Sequence, residues 1–191
     1  MLLIIVAYLL IGCFLVLQRA MRQGEQAKSL HSGQFDRGST KLIGKAFIIA
    51  ILVLIAAPAL NAFQIGPLSK GAAVGWAGVG VMFGGIALRW WANRTLGRFY
   101  TSTLRVAEGQ RIIRQGPYKV LRHPGYSGVI LIWVGAGFAT LNWMAAAVIV
   151  LVVGASYRYR INSEEAMLMT TFGAEYQAYM AQTWKLLPFV Y

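Results

Sequence analysis

Residues 128–156 read GVILIWVGAGFATLNWMAAAVIVLVVGAS, 29 consecutive positions without a charge. At about 1.5 Å per residue this block is too long for one untilted passage across a hydrocarbon core of roughly 30 Å. Leu141-Asn142-Trp143 stands at its middle. Asn favours turns and Trp favours the membrane interface. The block therefore divides into two helices joined by a tight hairpin, about 125–140 and 143–161.

Three more apolar runs precede it. Residues 1–17 carry no charge, residues 42–63 carry only Lys45, and a glycine-rich run begins at Ala72. Read as spans of about 2–18, 42–63 and 72–92, they bring the count to five. The fold expected is all-α: a polytopic membrane protein with five transmembrane helices, the last two a tight hairpin, plus a cytoplasmic loop and C-terminal helices. Residues 1–191 form one integral membrane domain in this reading.

Composition agrees. Hydrophobic residues make up 58% of the chain and charged residues 13%, against roughly 25% charged in an average globular protein. Mean hydropathy is +0.57. Such a chain is neither disordered nor able to cover itself with charge as a water-soluble monomer. The net charge of +12 comes from 18 Lys and Arg against 6 Asp and Glu. These basic residues are divided among the loops between spans rather than gathered on one soluble face, which argues against nucleic-acid binding. Cys13 is the single cysteine, which leaves no intrachain disulfide and no Cys-cluster metal site. No metal is expected.

The basic loops give the orientation. Arg19, Arg22, Lys28, Arg37 and Lys41 lie between the first two spans, against Glu25 and Asp36. Between the third and fourth lie Arg94, Arg98, Arg105, Arg111, Arg114, Lys119 and Arg122, against Glu108 alone. The remaining connections hold Lys70 and nothing else. Positive loops face the cytoplasm, so the N-terminus is expected outside and the C-terminus inside. The membrane is the inner membrane if the host is bacterial and the endoplasmic reticulum if it is eukaryotic. The charge in 19–41 is read first as this topology signal.

Two misleading patterns are set aside. Leu10-Ile11-Gly12-Cys13 loosely resembles a lipoprotein processing box, but residues 1–17 lack the basic region a signal peptide needs. Cys13 is read as an ordinary helix residue. Gly78, Gly80 and Gly84 do not make G-x-G-x-x-G, since Phe83 fills the last position and no strand precedes them. Gly71-x-x-x-Gly75 and Gly80-x-x-x-Gly84 instead suit close helix packing in lipid.

Chemistry begins near Thr95. Residues 95–127 read TLGRFYTSTLRVAEGQRIIRQGPYKVLRHPGYS. Glu108-Gly109-Gln110 and Gly116-Pro117 are turn signals. Pro124 fits the first turn of a helix, and the free N–H groups of such a terminus suit a carboxylate or phosphate. Arg122 and His123 would add donors there. A basic juxtamembrane loop touching lipid headgroups is an equal reading of the spacing alone. After the last span, Arg160 and Glu164 stand at i,i+4, and Glu165 points about 100° away. This is either a surface ion pair or a planar cation gripping an acidic or polar group of a lipophilic substrate, with carboxylates facing a positively charged cofactor. The helix continues through Ala166–Phe172 to a stop at Gly173. Glu175–Trp184 makes a short amphipathic helix with Tyr176, Tyr179, Met180 and Trp184 at 3–4 spacing.

Gly116-Pro117-Tyr118, then Arg122-His123-Pro124-x-Tyr126-x-Gly128, then Glu164-Glu165-x-x-Leu168-x-x-x-Phe172-Gly173-x-Glu175-Tyr176-x-x-Tyr179, resemble the isoprenylcysteine carboxyl methyltransferase / phospholipid methyltransferase family. The resemblance covers roughly Leu96 to Tyr191. It implies an integral membrane methyltransferase, of carboxyl O-methyltransferase type, using S-adenosylmethionine and leaving S-adenosylhomocysteine. The cofactor region would be about 95–127 and 160–191 at the cytoplasmic face. His123, Tyr126 and Glu165 would hold the cofactor, helped by Tyr118 and backbone near Gly128. Arg160 and Glu164 would be the catalytic pair nearest a lipophilic substrate that arrives from the bilayer. A carboxylate or thiolate nucleophile needs no base, whereas a protonated amine would use Glu164. Two alternatives stay open: an NADPH-dependent, sterol-reductase-like membrane enzyme, which carries a related R-H-P-x-Y-x-G stretch, and a non-catalytic lipid-binding membrane module.

Overall fold

The computed structural model describes residues 2–20, 33, 35–68, 71–101, 103–106 and 109–189. Arg22, Glu25, Lys28, Lys70 and Glu108, which enter the charge reading, and Tyr191 lie outside the described residues. The elements are α1 (Leu2–Ala20), α2 (Ser39–Ala62), α3 (Gly71–Leu96), α4 (Pro124–Ala139), α5 (Trp143–Phe172) and α6 (Ala174–Ala181), with 3-10 turns at Gly97–Phe99 and Gly116–Lys119. No strand occurs among the described residues, only two isolated bridges. Each expected apolar segment is helical. α5 continues eleven residues past 161 and stops where Gly173 takes a φ of 51°.

Among the described residues four helices, α1, α2, α3 and α5, are long and apolar enough to cross a membrane. Their outward residues match a lipid surface: Leu9 on α1, Leu52 and Ile55 on α2 and Leu151 on α5 are each at least 60% exposed. α4 has 16 residues, about 24 Å at 1.5 Å per residue. It is the inner helix, packed against α3, α5, α1 and α2. Val129, Ile132, Trp133 and Ala136 on it are fully buried. Phe47 of α2 lies 4.9 Å from the Trp133 ring, between Phe14 and Tyr157.

The α4–α5 hairpin turns on Leu141, whose φ is 53°, and on Asn142. The Asn142 carboxamide oxygen accepts from Ala145 N at 2.9 Å and caps α5. Its Nδ2 donates to Asn61 Oδ1 and to the Ile65 carbonyl, both at 2.8 Å. The turn is thereby stitched to the α2–α3 connection, and Asn142 is fully buried.

Glycines do bring two helices together, but on a different register from the pair of four-residue spacings. A Cβ at Gly78 would stand 2.6 Å from the Gly135 carbonyl, and one at Gly85 would stand 2.6 Å from that of Gly128. The antiparallel α3–α4 contact thus uses seven-residue spacing, two helical turns, which keeps both glycines on one face. Gly71, Gly80 and Gly84 would meet nothing within 4 Å. Gly75 faces Leu3 of α1.

Candidate functional site

Pro124 opens α4 and His123 precedes it as N-cap. The preceding residues are pinned by the chain's C-terminal segment. Arg122 N donates to the Trp184 carbonyl at 2.8 Å, His123 N to that of Lys185 at 3.2 Å, and Trp184 N to that of Val120 at 2.9 Å. The Arg122 Nη1 donates to the Met180 carbonyl at 3.0 Å and to that of Thr183. A guanidinium thus adds a side-chain donor to carbonyls at the end of α6.

Arg122 also grips α5. Its Nε lies 3.1 Å from Glu165 Oε1, His123 Nε2 lies 3.2 Å from the same oxygen, and Lys185 Nζ lies 3.1 Å from Oε2. One carboxylate therefore gathers three side chains from two segments. His123 Nδ1 stands 3.7 Å from Glu164 Oε2, so the imidazole spans both glutamates. The Glu164 Oε2 atom is buried and makes no hydrogen bond.

Tyr126, one turn into α4, stacks on His123 with centroids 5.6 Å apart and planes at 10°. Arg160 Nε donates to its hydroxyl at 3.2 Å. The phenol thus takes the Arg160 guanidinium from the side of α4. The carboxylate 2.7 Å from Arg160 Nη1 is that of Asp36, at the start of α2. Burial raises the Asp36 pKa, but hydrogen bonds from Thr40 and Ser39 and the Arg160 charge outweigh it and hold the carboxyl below its usual value. Burial also holds the Tyr118 phenol well above its usual value, hence neutral.

These groups surround a cavity of about 390 Å³. Tyr118, His123, Tyr126, Arg160 and Glu164 line it, and Ile43, Phe47, Leu168 and Phe172 give it an apolar side. Two of the residues singled out in the sequence do not line it. Glu165 lies behind His123 in the ion-pair cluster. Gly128 faces α3, where a Cβ would stand 2.7 Å from the Gly85 carbonyl and 2.8 Å from Arg89 N.

Arg89 was not singled out in the sequence, yet it lines the cavity from α3 and is 8% exposed. Its Nη2 donates to the Tyr100 hydroxyl at 3.2 Å, while its Nε makes no hydrogen bond. Among the described residues it has no carboxylate partner. The signal for it was present: a charge inside an apolar span marks function by default. Asp36 had no comparable signal.

Fold and site together define a multi-pass helical membrane protein with a cavity walled by arginines, tyrosines and a glutamate on one side and apolar residues on the other. The chain belongs to the isoprenylcysteine carboxyl methyltransferase family, whose model matches residues 77–170, and is therefore a methyltransferase. It is 28% identical over 166 residues to a probable protein-S-isoprenylcysteine O-methyltransferase of Oryza sativa subsp. indica, covering 86% of this chain and 87% of that one. It is 27% identical over 166 residues to protein-S-isoprenylcysteine O-methyltransferase B of Arabidopsis thaliana, covering 86% and 84%. The uncharacterized protein YpbQ of Bacillus subtilis is 30% identical over 129 residues, covering 64% of this chain and 73% of YpbQ.

Proposed function

We propose that the chain is an S-adenosylmethionine-dependent carboxyl O-methyltransferase. Its acceptor is the carboxylate of an S-isoprenylated cysteine or a related isoprenoid acid, methylated at the cytoplasmic membrane face. The observation that carries this reading is the single cavity on which His123, Tyr126, Arg160 and Glu164 meet beside an apolar wall.

The polar groups suit the cofactor. Glu164 Oε2 and the Tyr176 hydroxyl are buried without hydrogen-bond partners. They would accept from an ammonium or a ribose hydroxyl, and the paired rings of His123 and Tyr126 suit a flat base or a cation. When bound, S-adenosylmethionine supplies a methyl group on a positively charged sulfur. Tyr118, His123 and Tyr126 would hold it directly. Glu165 supports that wall at one remove, through His123 and Arg122. Gly128 supports it by letting α4 approach Arg89.

The protein's own work is positioning. A carboxylate acceptor is already ionised at neutral pH, so no general base is required. Arg89 offers it a buried cation, and Arg160 turns a second guanidinium toward the same space. Phe47, Leu168 and Phe172 take the isoprenoid chain and exclude water. Orientation of two bound reactants in a dry pocket provides most of the acceleration in such a displacement.

We read residues 1–191 as one membrane domain crossing five times, with the N-terminus outside. α4 is short for a span, but its neighbours cover it, so it need not match the lipid thickness itself. The α4–α5 hairpin returns the chain to the side where Arg122, Glu165 and α6 gather. A reporter fused to the C-terminus should score cytoplasmic, and a lumenal or periplasmic score refutes the five-span topology.

The reaction class is tested by calorimetric titration of the detergent-purified protein with S-adenosylhomocysteine and, in parallel, NADPH. Binding of the first alone, with methyl ester formed on N-acetyl-S-farnesylcysteine, is expected. Binding of NADPH alone overturns the assignment.

A further inference from the structure

We infer that Asp36 is a positioning residue for Arg160, fixing from the N-terminal half of the chain a guanidinium that faces the acceptor. This rests on the methyltransferase reading above, in which Arg160 works at the cavity.

Asp36, Ser39 and Arg160 are 3%, 0% and 4% exposed. Arg160 Nη1 has three acceptors within 3.0 Å: Asp36 Oδ1 at 2.7 Å, Ser39 Oγ at 2.9 Å and Thr40 Oγ1 at 3.0 Å. The two hydroxyls each spend their proton on Asp36 Oδ1, at 2.9 and 2.7 Å. Their lone pairs are thereby turned toward the guanidinium. The three residues act as one acceptor cluster with a single negative charge.

Arginine is a long side chain with much rotamer freedom to lose. Here Nη1 is fixed by the Asp36 cluster and Nε by the Tyr126 hydroxyl. Two edges of one plane set its orientation. The cluster is itself braced. Asp36 N donates to the Gly33 carbonyl, Ser39 N to that of Asp36, and Gly33 N to that of Leu104. Arg37 and Gly38 take φ of 44° and 80° to make the turn, and the Arg37 carbonyl accepts from Tyr159. Asp36 is not a lining residue of the cavity, whereas Thr40 and Arg160 are. Its effect on turnover therefore passes through Arg160.

A role limited to starting α2 would alter stability alone. The test compares wild type, D36N, D36E, R160Q and the D36N/R160Q double variant in detergent. D36N should bind S-adenosylhomocysteine within twofold of wild type. With N-acetyl-S-farnesylcysteine its kcat should fall at least tenfold while KM stays within threefold, and D36E should recover part of the loss. A D36N enzyme with wild-type kcat overturns the proposal. Should D36N not fold, the S39A/T40V variant keeps the charge but removes two acceptors. A smaller loss of kcat is then expected, and an unchanged kcat overturns the proposal. If wild type neither binds S-adenosylhomocysteine nor methylates, the methyltransferase reading fails. Melting temperatures then judge the contact by themselves. A double variant that melts with R160Q supports it, and additive losses overturn it.

Discussion

Arg122 and Glu165, 43 positions apart, meet with Nε 3.1 Å from Oε1, their side chains 10% and 12% exposed. This contact ties the start of α4 to α5, while the same guanidinium holds the end of α6. Glu165 also meets His123 and Lys185 at hydrogen-bond distance. Removing its charge leaves several donors facing one another at the back of the cavity. Glu165→Gln should therefore weaken S-adenosylhomocysteine binding at least tenfold, although the residue does not line the pocket. It should also speed proteolysis beyond Gln182, because the C-terminal segment loses its anchor. Unchanged calorimetric affinity would remove Glu165 from any part in cofactor binding.

The α3–α4 glycines make a contrast within one helix. At Gly78 and Gly85 an added Cβ runs into a backbone carbonyl, which cannot rotate away. Gly78→Val or Gly85→Val should cost about 1–3 kcal/mol, the range for overpacking a filled interface, read as a lower melting temperature in detergent. Gly80→Ala and Gly84→Ala enter open space. They should be neutral or stabilise by up to about 1 kcal/mol through helix propensity. Equal losses at all four positions would deny the seven-residue contact.

The Asp36–Arg160 pair carries a pH dependence. The folded-state pKa of Asp36 lies below its ordinary 3.8. The unfolded chain therefore binds this proton first, and stability from the pair is fully present above about pH 5. It is lost as pH falls below 3.8 through the folded value. Asp36→Asn should flatten this part of the acid melting profile and lower the plateau above it. A variant with the wild-type acid limb shows that other carboxylates account for that limb.

Much of the scaffold was legible in the sequence. Lipid-length apolar runs are a strong signal, Asn142 marked the hairpin and Gly173 marked the end of α5. The rotation of each helix was not. In a membrane both faces of a helix are apolar, so no polar stripe reports which way it turns. That is why Glu165, which the resemblance gave to the cofactor, could be set about 100° from Glu164 in sequence but not placed behind the cavity wall: Glu164 lines the cavity and Glu165 backs it. The same ambiguity hid Gly78 and Gly85 behind the more conspicuous four-residue spacings. Asp36 was harder still. It sits 124 positions from Arg160, in a loop whose basic excess has its own explanation in topology, and no local pattern announces that partner.

Arg89 gives the sharpest test of how the acceptor is held. It is a buried guanidinium on the cavity wall, with a tyrosine hydroxyl on Nη2 and an Nε without a hydrogen bond. Gly125 makes room for it, since a Cβ there would stand 2.7 Å from Nη1. Asp36 already compensates Arg160 and Glu165 compensates Arg122. Arg89 and Arg105 line the same cavity with nitrogens that make no hydrogen bond, and of the two Arg89 is the one set within a spanning helix, where an arriving carboxylate would offer it a partner. A lysine cannot present the same planar pair of donors. Arg89→Gln should raise KM for N-acetyl-S-farnesylcysteine at least tenfold, equivalent to about 1.4 kcal/mol or more, while S-adenosylhomocysteine affinity stays within twofold. Arg89→Lys should fall between. Gly125→Ala, which displaces the guanidinium, should raise KM in the same direction. If Arg89→Gln instead abolishes S-adenosylhomocysteine binding and leaves KM unchanged, the cation serves the cofactor carboxylate, and the acceptor is held by another arginine of the cavity, Arg160 or Arg105.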